Sequence, residues 1–381
     1  MEDAAAKLQT YNIEITQQKP QLSFDNPPPP PPHEFSFFSS RSRRRGSDTW
    51  IISVFVILHI LAFITTMFVN DCSANSHGDC ALQLLGRISF QPLSENTLLG
   101  PSASTLDKVG ALQKKYFAEK HQMWRLFTCT WLHAGVVHLV INLGCIIFVG
   151  IHLERDFGPL RVGIIYLLSG FVGSLVCALF VRNSPVTTAS GALSGLLGAI
   201  ISGLVRNWKV YTNKWAALAL LFIISMINFL LGLLPYVDNF SNMGAFISGF
   251  LLGLVLLFTP QPRQVAQYKT ELIEYTSTML TLKLDRPILR SVSLMLFSVV
   301  FAGCLVAVLQ GMNINDYCGW CRYVDCVPFR KWSCNEITSS CESMVSNSQT
   351  TLTCMGNGNF RVFPYTNISH SRMKDLCTLI C

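Results

Sequence analysis

Seven long runs of apolar residues divide the chain, at residues 50–69, 126–151, 160–181, 187–205, 215–234, 240–258 and 289–310. A helix needs roughly 20 apolar residues to cross the hydrocarbon core of a bilayer, and each run approaches or exceeds that length. Because lipid offers no partner to backbone polar groups, a run of this length satisfies them internally as a helix. The pattern predicts an all-α polytopic membrane protein with seven transmembrane helices.

Composition agrees with a membrane protein and excludes several other classes. Of the 381 residues, 50% are hydrophobic and 13% are charged, whereas a soluble domain carries about 25% charged residues. The net charge of +7 is not accompanied by interleaved basic and aromatic residues, so no nucleic-acid partner is expected. No glycine-rich phosphate loop follows a strand pattern, and the sequence predicts neither a cofactor nor a bound metal. The lipid bilayer is the expected partner.

Residues 1–49 are polar and form a predicted disordered tail. An unbroken proline run extends from Pro27 to Pro32, which excludes helix and favours extended polyproline II. The run is a candidate for binding an aromatic groove on a cytosolic partner, and a solvated spacer is the alternative. Because no apolar segment opens the chain, the first apolar run is expected to act as an uncleaved anchor.

The basic residues near the spans predict the orientation. They lie before the first span, between spans two and three, between spans four and five, and between spans six and seven: Arg41, Arg43, Arg44, Arg45, Arg155, Arg161, Arg206, Lys209, Lys214, Lys269, Lys283, Arg286 and Arg290. The connection between spans five and six contains Asp238 and no basic residue. Since basic residues are enriched in cytoplasmic loops, the N-terminus is predicted to be cytosolic and the C-terminus luminal.

The cysteines crowd the predicted luminal segments. Eight of the 14 cysteines lie between residues 318 and 381, and Cys72 and Cys80 lie in the long loop 70–123. This spacing predicts a small disulfide-rich luminal module in an oxidising compartment, with a pairing that the sequence cannot give. A zinc site beginning at Cys318 and Cys321 is the alternative, but no second paired cluster with histidines follows. The sequon at Asn367 lies on the same predicted side. The expected location is the secretory pathway: Golgi, endoplasmic reticulum or plasma membrane.

Polar residues at membrane depth are costly and mark candidate functional groups. His138 and Asn142 are four residues apart, so they share one helical face, and both can donate hydrogen bonds to a developing oxyanion. Ser190 lies between Ala189 and Gly191 in the fourth run. Its hydroxyl is a candidate nucleophile, and a packing serine bonded to its own helical turn is the alternative.

Several motifs occur together and in a fixed order. They are Trp124-Arg125, the series His133, His138 and Asn142, Gly150-x-x-x-Glu154, Phe157-Gly158, Ala189-Ser190-Gly191 with Gly195-Leu-Leu-Gly198, and Val237-Asp238-Asn239 leading to Gly244 and Gly249. This set resembles the rhomboid family of intramembrane serine proteases over about residues 50–310. The resemblance implies a six-span core with a seventh span after it, similar to eukaryotic secretory-pathway rhomboids and to a plant subgroup.

The resemblance assigns roles to four positions. It implies that Ser190 is the nucleophile and that His138 and Asn142 are oxyanion donors. The family's general base is a histidine in span six, and here that position is Asn242. An amide has no protonation equilibrium near neutral pH and cannot carry a proton to the leaving amine. No histidine lies between His152 and His370 to replace it.

Two further departures accompany Asn242. Thr188 stands where the family has the glycine of its Gly-x-Ser-Gly motif, and Ser194 stands where the family has an aromatic residue packed on the base. The sequence therefore predicts a rhomboid pseudoprotease that binds transmembrane clients and affects their trafficking or turnover. The alternative is an active rhomboid serine protease that uses Ser190. A channel or transporter is disfavoured, because spans three to six contain no Asp, Glu, Lys or His in their interiors.

The predicted organisation has three parts. Residues 1–49 form the cytosolic Pro-rich and basic tail. Residues 50–310 form the rhomboid-like membrane domain, which includes the luminal loop 70–123 and the cytosolic loop 259–288. Residues 311–381 form the Cys-rich luminal tail.

Overall fold

The structure is a computed structural model. It describes residues 49–75, 80–114, 122–182, 184–208, 211, 213–257, 287–325, 341–346, 349–355, 358–364 and 368–381. Residues 1–48 of the predicted tail, nearly all of the predicted loop 259–288, Asn367, Cys326 and Cys334 lie outside the described residues. The expectations that concern them stay predictions, as do the domain boundaries.

Within the described residues, seven helices are long and apolar enough to cross a membrane. They are α1 (Ile51–Asn70), α2 (Val136–Phe157), α3 (Pro159–Leu179), α4 (Ala189–Arg206), α5 (Lys214–Gly232), α6 (Asn239–Leu256) and α7 (Pro287–Leu309). The prediction of a multi-pass integral membrane protein with seven spans is confirmed, and six of the seven helices begin within two residues of their predicted starts.

The second span begins ten residues later than predicted, at Val136 rather than at residue 126. The apolar residues before it form a helical turn at Arg125–Thr128 and then a loop. Gly135 ends this loop against the backbone of Leu98, so close that an added Cβ would lie 2.2 Å from the Leu98 carbonyl oxygen. Val136 N–H then donates to the carbonyl of Leu99 at 2.9 Å. The loop is apolar because it packs on the bundle, which hydropathy alone cannot distinguish from a span.

Buried carboxylates cap two of the membrane helices. Glu154 of α2 accepts hydrogen bonds from the backbone N–H groups of Ile51 at 2.9 Å and Ile52 at 3.2 Å, at the start of α1. Asp238 accepts from the backbone N–H of Ser241 in the first turn of α6. The first N–H groups of a helix lack intrahelical partners, so these carboxylates satisfy donors that are costly to leave unpaired in lipid.

Helix α4 lies at the centre of the bundle and α7 at its edge. In the 18-residue window of highest hydropathy, 83% of α4 is buried inside the protein, against 17% of α7. Small residues let α4 approach its neighbours. A Cβ added at Gly195 would lie 1.8 Å from the Ser169 hydroxyl oxygen of α3, and one at Gly198 would lie 2.2 Å from the Phe246 carbonyl of α6. Helices α3, α4 and α6 therefore form the packed centre of the domain.

The described part of the loop 70–123 folds over the bundle. It contains a helical turn at Cys72–Asn75, a 3₁₀ helix at Gln83–Ile88 and a short helix at Ala103–Val109, and a disulfide joins Cys72 to Cys80. Leu82, Leu84, Leu85 and Ile88 are exposed. Exposed apolar side chains in a polar loop are typical of a segment that lies on the membrane surface.

The C-terminal module is disulfide-rich, as predicted, and also contains a small sheet that the sequence did not predict. The three antiparallel strands β1 (Cys341–Ser346), β2 (Gln349–Cys354) and β3 (Phe360–Phe363) pair in the order β1-β2-β3, and the helix α8 (His370–Ile380) packs on β2. Disulfides join Cys341 to Cys377, Cys354 to Cys381, and Cys318 to Cys321. The chain remains mostly helical.

Candidate functional site

Ser190 occupies the second position of α4 and is fully buried. The residue before the helix, Thr188, fixes the start of α4 through its hydroxyl, which lies 3.2 Å from the Cys129 sulfur and 3.0 Å from the Ser174 hydroxyl oxygen. Thr188 stands where the rhomboid motif has glycine. The side-chain bonds of Thr188 therefore take part in holding the segment that presents Ser190.

Close packing of α4 on α6 brings positions 190 and 242 to the same end of two adjoining helices. A Cβ added at Gly191 would lie 2.5 Å from the Ser241 hydroxyl oxygen, and one at Gly249 would lie 2.1 Å from the Gly195 carbonyl. The two backbones are thus in contact along two helical turns. Ser190 directly precedes Gly191, and Asn242 directly follows Ser241, so both residues lie next to this contact.

Asn242 is oriented by its own helix. Its side-chain N–H donates to the Asn239 side-chain oxygen at 3.2 Å, and the residue is buried. Within the described residues, the Asn242 side-chain oxygen has no hydrogen-bond partner, and neither has the Ser190 hydroxyl. No hydrogen bond therefore joins the candidate nucleophile to the residue at the base position in this part of the chain.

His138 and Asn142 lie buried on α2, as their spacing predicts. The Asn142 side-chain N–H donates to His133 Nε2 at 3.0 Å, and the rings of His133 and His138 lie 5.1 Å apart between centroids. His138 Nε2 and the Asn142 side-chain oxygen have no partner among the described residues. The α2 face therefore carries two buried polar atoms that no protein group among the described residues satisfies.

Two buried partners of this region were missed by sequence reasoning. On α1, His59 lies 2.5 Å from the Tyr166 hydroxyl, and its ring meets that of His133 edge-on at 5.0 Å. On α5, the Asn228 side-chain N–H donates to the Ser194 hydroxyl at 2.6 Å. His59 is the only ionisable residue in the sequence of α1, and Asn228 is the only amide side chain in that of α5. Their cost at membrane depth was a signal that could have found them.

Asn228 holds Ser194, the residue for which the resemblance implies an aromatic side chain. Ser194 is bonded across to α5 rather than stacked against position 242. A hydroxyl–amide bond between two membrane helices contributes about 0.6 kcal/mol on average, and at most about 1.7. Ser194 thus helps to hold α5 on α4 and provides no ring to pack against a base.

A cluster of charged groups covers the start of α6. Asp325, which follows α7, accepts from the backbone N–H of Asn239 at 2.6 Å and pairs with Arg182 at 2.7 Å. Burial and the neighbouring Asp325 carboxylate raise the pKa of Asp238 well above its usual value. Burial also raises the pKa of Asp325, and Arg182 opposes that shift. Asp325 is therefore the more readily ionised member of the pair.

The described residues offer one group of three potential metal ligands with atoms close together, the sulfurs of Cys341, Cys377 and Cys381. All three sulfurs belong to disulfides. Cys318 and Cys321, the cysteines of the alternative zinc site, are also joined in a disulfide. A disulfide sulfur is not the thiolate that zinc binds. In this part of the chain, those cysteines stabilise the fold.

Comparison with known proteins identifies the family. A model of the Rhomboid domain matches residues 120–258. The protein named Inactive RHOMBOID-like protein 8 of Arabidopsis thaliana is 55% identical over 335 residues, which cover 86% of this chain and 95% of the relative. RHOMBOID-like protein 1 of the same plant is 44% identical over 335 residues, covering 87% of this chain and 85% of the relative.

A more distant relative extends the comparison to animals. Inactive rhomboid protein 1 of Danio rerio is 27% identical over 216 residues, which cover 56% of this chain and 23% of the relative. The matched domain model includes the helices that carry His138, Ser190 and Asn242. The extent and the identity of these matches agree with the seven-span architecture: the chain belongs to the rhomboid family, as a plant-type rhomboid-like membrane protein.

Proposed function

We propose that this protein is a rhomboid pseudoprotease that binds transmembrane segments of client proteins without cleaving them. The single observation that carries the proposal is Asn242 at the position of the general base. A serine hydroxyl is a weak nucleophile at neutral pH and needs a base to take its proton. Asn242 can accept a hydrogen bond but cannot act as that base.

The surroundings of Asn242 support the same conclusion. Its amide is turned toward Asn239, and the residue expected to pack on a base, Ser194, is bonded to Asn228. Loss of a catalytic base in a serine protease costs about 10⁴–10⁶ in turnover. Two relatives whose names contain the word inactive, from Arabidopsis thaliana and Danio rerio, add support from the family.

The roles of the remaining site residues follow from this proposal. Ser190 is an inherited hydroxyl at the nucleophile position, and His138 and Asn142 occupy the oxyanion positions. Their unpaired buried atoms provide hydrogen-bond donors and acceptors at membrane depth. A client segment that enters the site can pair with them, since unsatisfied polar groups are costly in lipid.

One observation favours the alternative, an active protease. The Ser190 hydroxyl is buried and has no partner among the described residues, whereas the Ser248 hydroxyl of α6 donates to the Ala245 carbonyl of its own turn at 3.0 Å. A hydroxyl that no protein group engages is open to contact with an entering peptide bond. The experiment below separates the two functions.

The proposed cellular setting is the secretory pathway, with the N-terminus in the cytosol and the C-terminal module in the lumen. The support is the distribution of basic residues in the sequence and the disulfides of the C-terminal module, since disulfides persist in oxidising compartments. The proposed partners are membrane-spanning clients, together with a cytosolic partner for Pro27 to Pro32.

Co-reconstitution into liposomes with a single-span test substrate separates pseudoprotease from protease. We expect the wild-type chain to bind the substrate, measured by energy transfer between labels on the two proteins, and to release no cleavage product. The Ser190→Ala variant is the matched control: it removes only the hydroxyl and should still bind the substrate. Cleavage by the wild type that the Ser190→Ala change abolishes would establish the active protease instead.

A further inference from the structure

Residues 313–325, which follow α7, form a strap across the ends of α3 and α6. The side-chain N–H groups of Asn313 and Asn315 donate to the carbonyls of Val181, at 3.0 Å, and Phe180. Asp325 at the far end of the strap pairs with Arg182 at 2.7 Å. The strap is therefore fastened at both ends to the residues that follow α3.

The same strap reaches the residue at the base position through two hydrogen bonds. The carbonyl of Val324 accepts from the Asn239 side-chain N–H at 2.9 Å, and the Asn239 side-chain oxygen accepts from Asn242 at 3.2 Å. Asp325 also caps the backbone N–H of Asn239 at 2.6 Å. The orientation of the Asn242 amide thus depends on a segment outside the membrane helices.

A disulfide closes the middle of the strap. Cys318 and Cys321 are three residues apart and are joined by this disulfide, in the sequence Cys-Gly-Trp-Cys. Cys318 is half-buried and Cys321 is 4% exposed, while the neighbours Tyr317 and Trp320 are 87% and 70% exposed, so Cys318 is the more accessible half of the bond. The 3₁₀ turn Cys321–Tyr323 leads directly from the disulfide to Val324 and Asp325.

The chemistry of this disulfide differs from that of the other described disulfides. Thiols in Cys-x-x-Cys motifs have lowered pKa values, and a thiol of low pKa is the better leaving group in exchange. Each disulfide of the C-terminal module also joins a buried to a half-buried cysteine, but its sequence separation is 36 for Cys341–Cys377 and 27 for Cys354–Cys381, against 3 for Cys318–Cys321. A crosslink stabilises the folded chain more as the loop that it closes grows longer, so the module disulfides are expected to resist reduction better. Cys72 is fully buried, and its partner Cys80 is 8% exposed.

We propose that the Cys318–Cys321 disulfide is a redox-active site that exchanges with dithiols, and that its reduction releases the strap from the start of α6. A thiolate of the dithiol attacks Cys318, the sulfur–sulfur bond breaks, and Cys321 leaves as a thiolate that takes up a proton. The second thiol of the dithiol then displaces Cys318. The dithiol is oxidised to a disulfide, and Cys318 and Cys321 are reduced to two thiols.

The disulfide constrains the turn that leads to Val324 and Asp325, and this explains why its reduction would release the strap. Reduction removes the crosslink that pins the turn before Val324, so the strap loses the constraint that places Asp325 against the first N–H of α6. Asn239 then loses both its cap and its side-chain acceptor. This inference goes beyond the proposed function and concerns a bond that lies outside the membrane helices.

The test uses the purified full-length chain in lipid nanodiscs, equilibrated in buffers with a graded ratio of reduced to oxidised dithiothreitol. Free thiols are trapped with a maleimide and located by peptide mass mapping, and hydrogen exchange of residues 239–242 is followed in parallel. We expect Cys318 and Cys321 to become labelled at a ratio about tenfold lower than the other described disulfides require. We expect exchange at residues 239–242 to become about 2- to 30-fold faster at the same ratio, as loss of a helix cap predicts.

Two variants complete the experiment. Cys318→Ser/Cys321→Ser should show the faster exchange without reductant, while the matched control Cys72→Ser/Cys80→Ser should keep the slow exchange of the oxidised wild type. If the module disulfides were reduced at the same ratio of reduced to oxidised dithiothreitol as Cys318–Cys321, or at a lower one, the proposal of a redox-active site would be wrong. Reduction of Cys318–Cys321 with unchanged exchange at residues 239–242 would overturn the release. The wild-type titration decides both points even where a variant fails to fold.

Discussion

The contact between α4 and α6 predicts a large difference between two glycine-to-alanine substitutions. At Gly249 an added Cβ would lie 2.1 Å from the carbonyl oxygen and 2.6 Å from the Cα of Gly195. Ordinary contact needs roughly 3.5 Å, so α6 must move away from α4 by more than about 1 Å. Because the obstructing atoms belong to the backbone, no side-chain rotation relieves the clash.

Gly303 on α7 is the matched control, since a Cβ added there meets nothing within 4 Å. Both substitutions add one methyl group to a membrane helix and remove the same backbone freedom. Alanine is preferred over glycine inside a helix by about 0.5–1 kcal/mol, so Gly303→Ala should leave stability unchanged or slightly raised. Overpacking costs about 1–3 kcal/mol, so Gly249→Ala should lower the free energy of unfolding.

The free cysteines provide the assay. Cys129 and Cys177 are buried in the bundle and carry no disulfide, so a fluorogenic maleimide reports their exposure as the protein unfolds. Gly249→Ala should shift the unfolding midpoint to lower temperature or lower denaturant concentration, and Gly303→Ala should not. Equal midpoints for the two variants would refute the argument that α4 and α6 are in backbone contact at this point.

Three further outcomes are expected from ionisable groups outside the bundle centre. Glu95→Gln leaves the buried Arg372 of α8 without its carboxylate partner. The docking of the C-terminal module should then be weaker by about 3–5 kcal/mol, which faster hydrogen exchange in α8 would report. Unchanged exchange would contradict this prediction. Glu154→Ala removes the acceptor of the first two N–H groups of α1 and should speed their exchange by the loss of about 0.5–2 kcal/mol, with the other helices as internal reference. Burial, followed by the neighbouring Asp325 carboxylate, raises the pKa of Asp238 well above its usual value, so the protonated form of Asp238 favours the folded state. Protection at the start of α6 should therefore fall as pH rises through that raised pKa. Asp325→Asn removes one cause of the shift and should flatten the profile, and protection that rises with pH would contradict the shift.

The membrane helices were predictable because the length of an apolar run is a local property. The start of α2 was not predictable, because Leu126 and Leu132 are apolar for a different reason: they are buried in the loop that packs on the bundle. Hydropathy measures burial, whether in lipid or in protein. The sheet of the C-terminal module was missed because β1 is exposed at five of its six positions and shows no apolar alternation.

The site shows the same division between local and distant information. Ser190, Asn242, His138 and Asn142 were predicted as site residues because each stands within a local motif. Their surroundings depend on residues that the sequence does not relate to them. His59 is hydrogen-bonded to Tyr166, 107 residues away along the chain. The backbone N–H of Asn239 is bonded to Asp325, 86 residues away. Such contacts arise from the packing of helices and from the course of the strap, neither of which a motif encodes.

Covalent labelling of Ser190 by a fluorophosphonate probe tests the central claim most directly. The probe reacts with a serine hydroxyl that an adjacent base has activated, and it needs no knowledge of a client. The chain in nanodiscs is compared with its Ser190→Ala variant and with a catalytically active rhomboid under the same conditions. The pseudoprotease account predicts that the active rhomboid is labelled and that the wild-type chain is not. Labelling of the wild type that disappears in Ser190→Ala would contradict the account and show that a base other than a span-six histidine activates this serine.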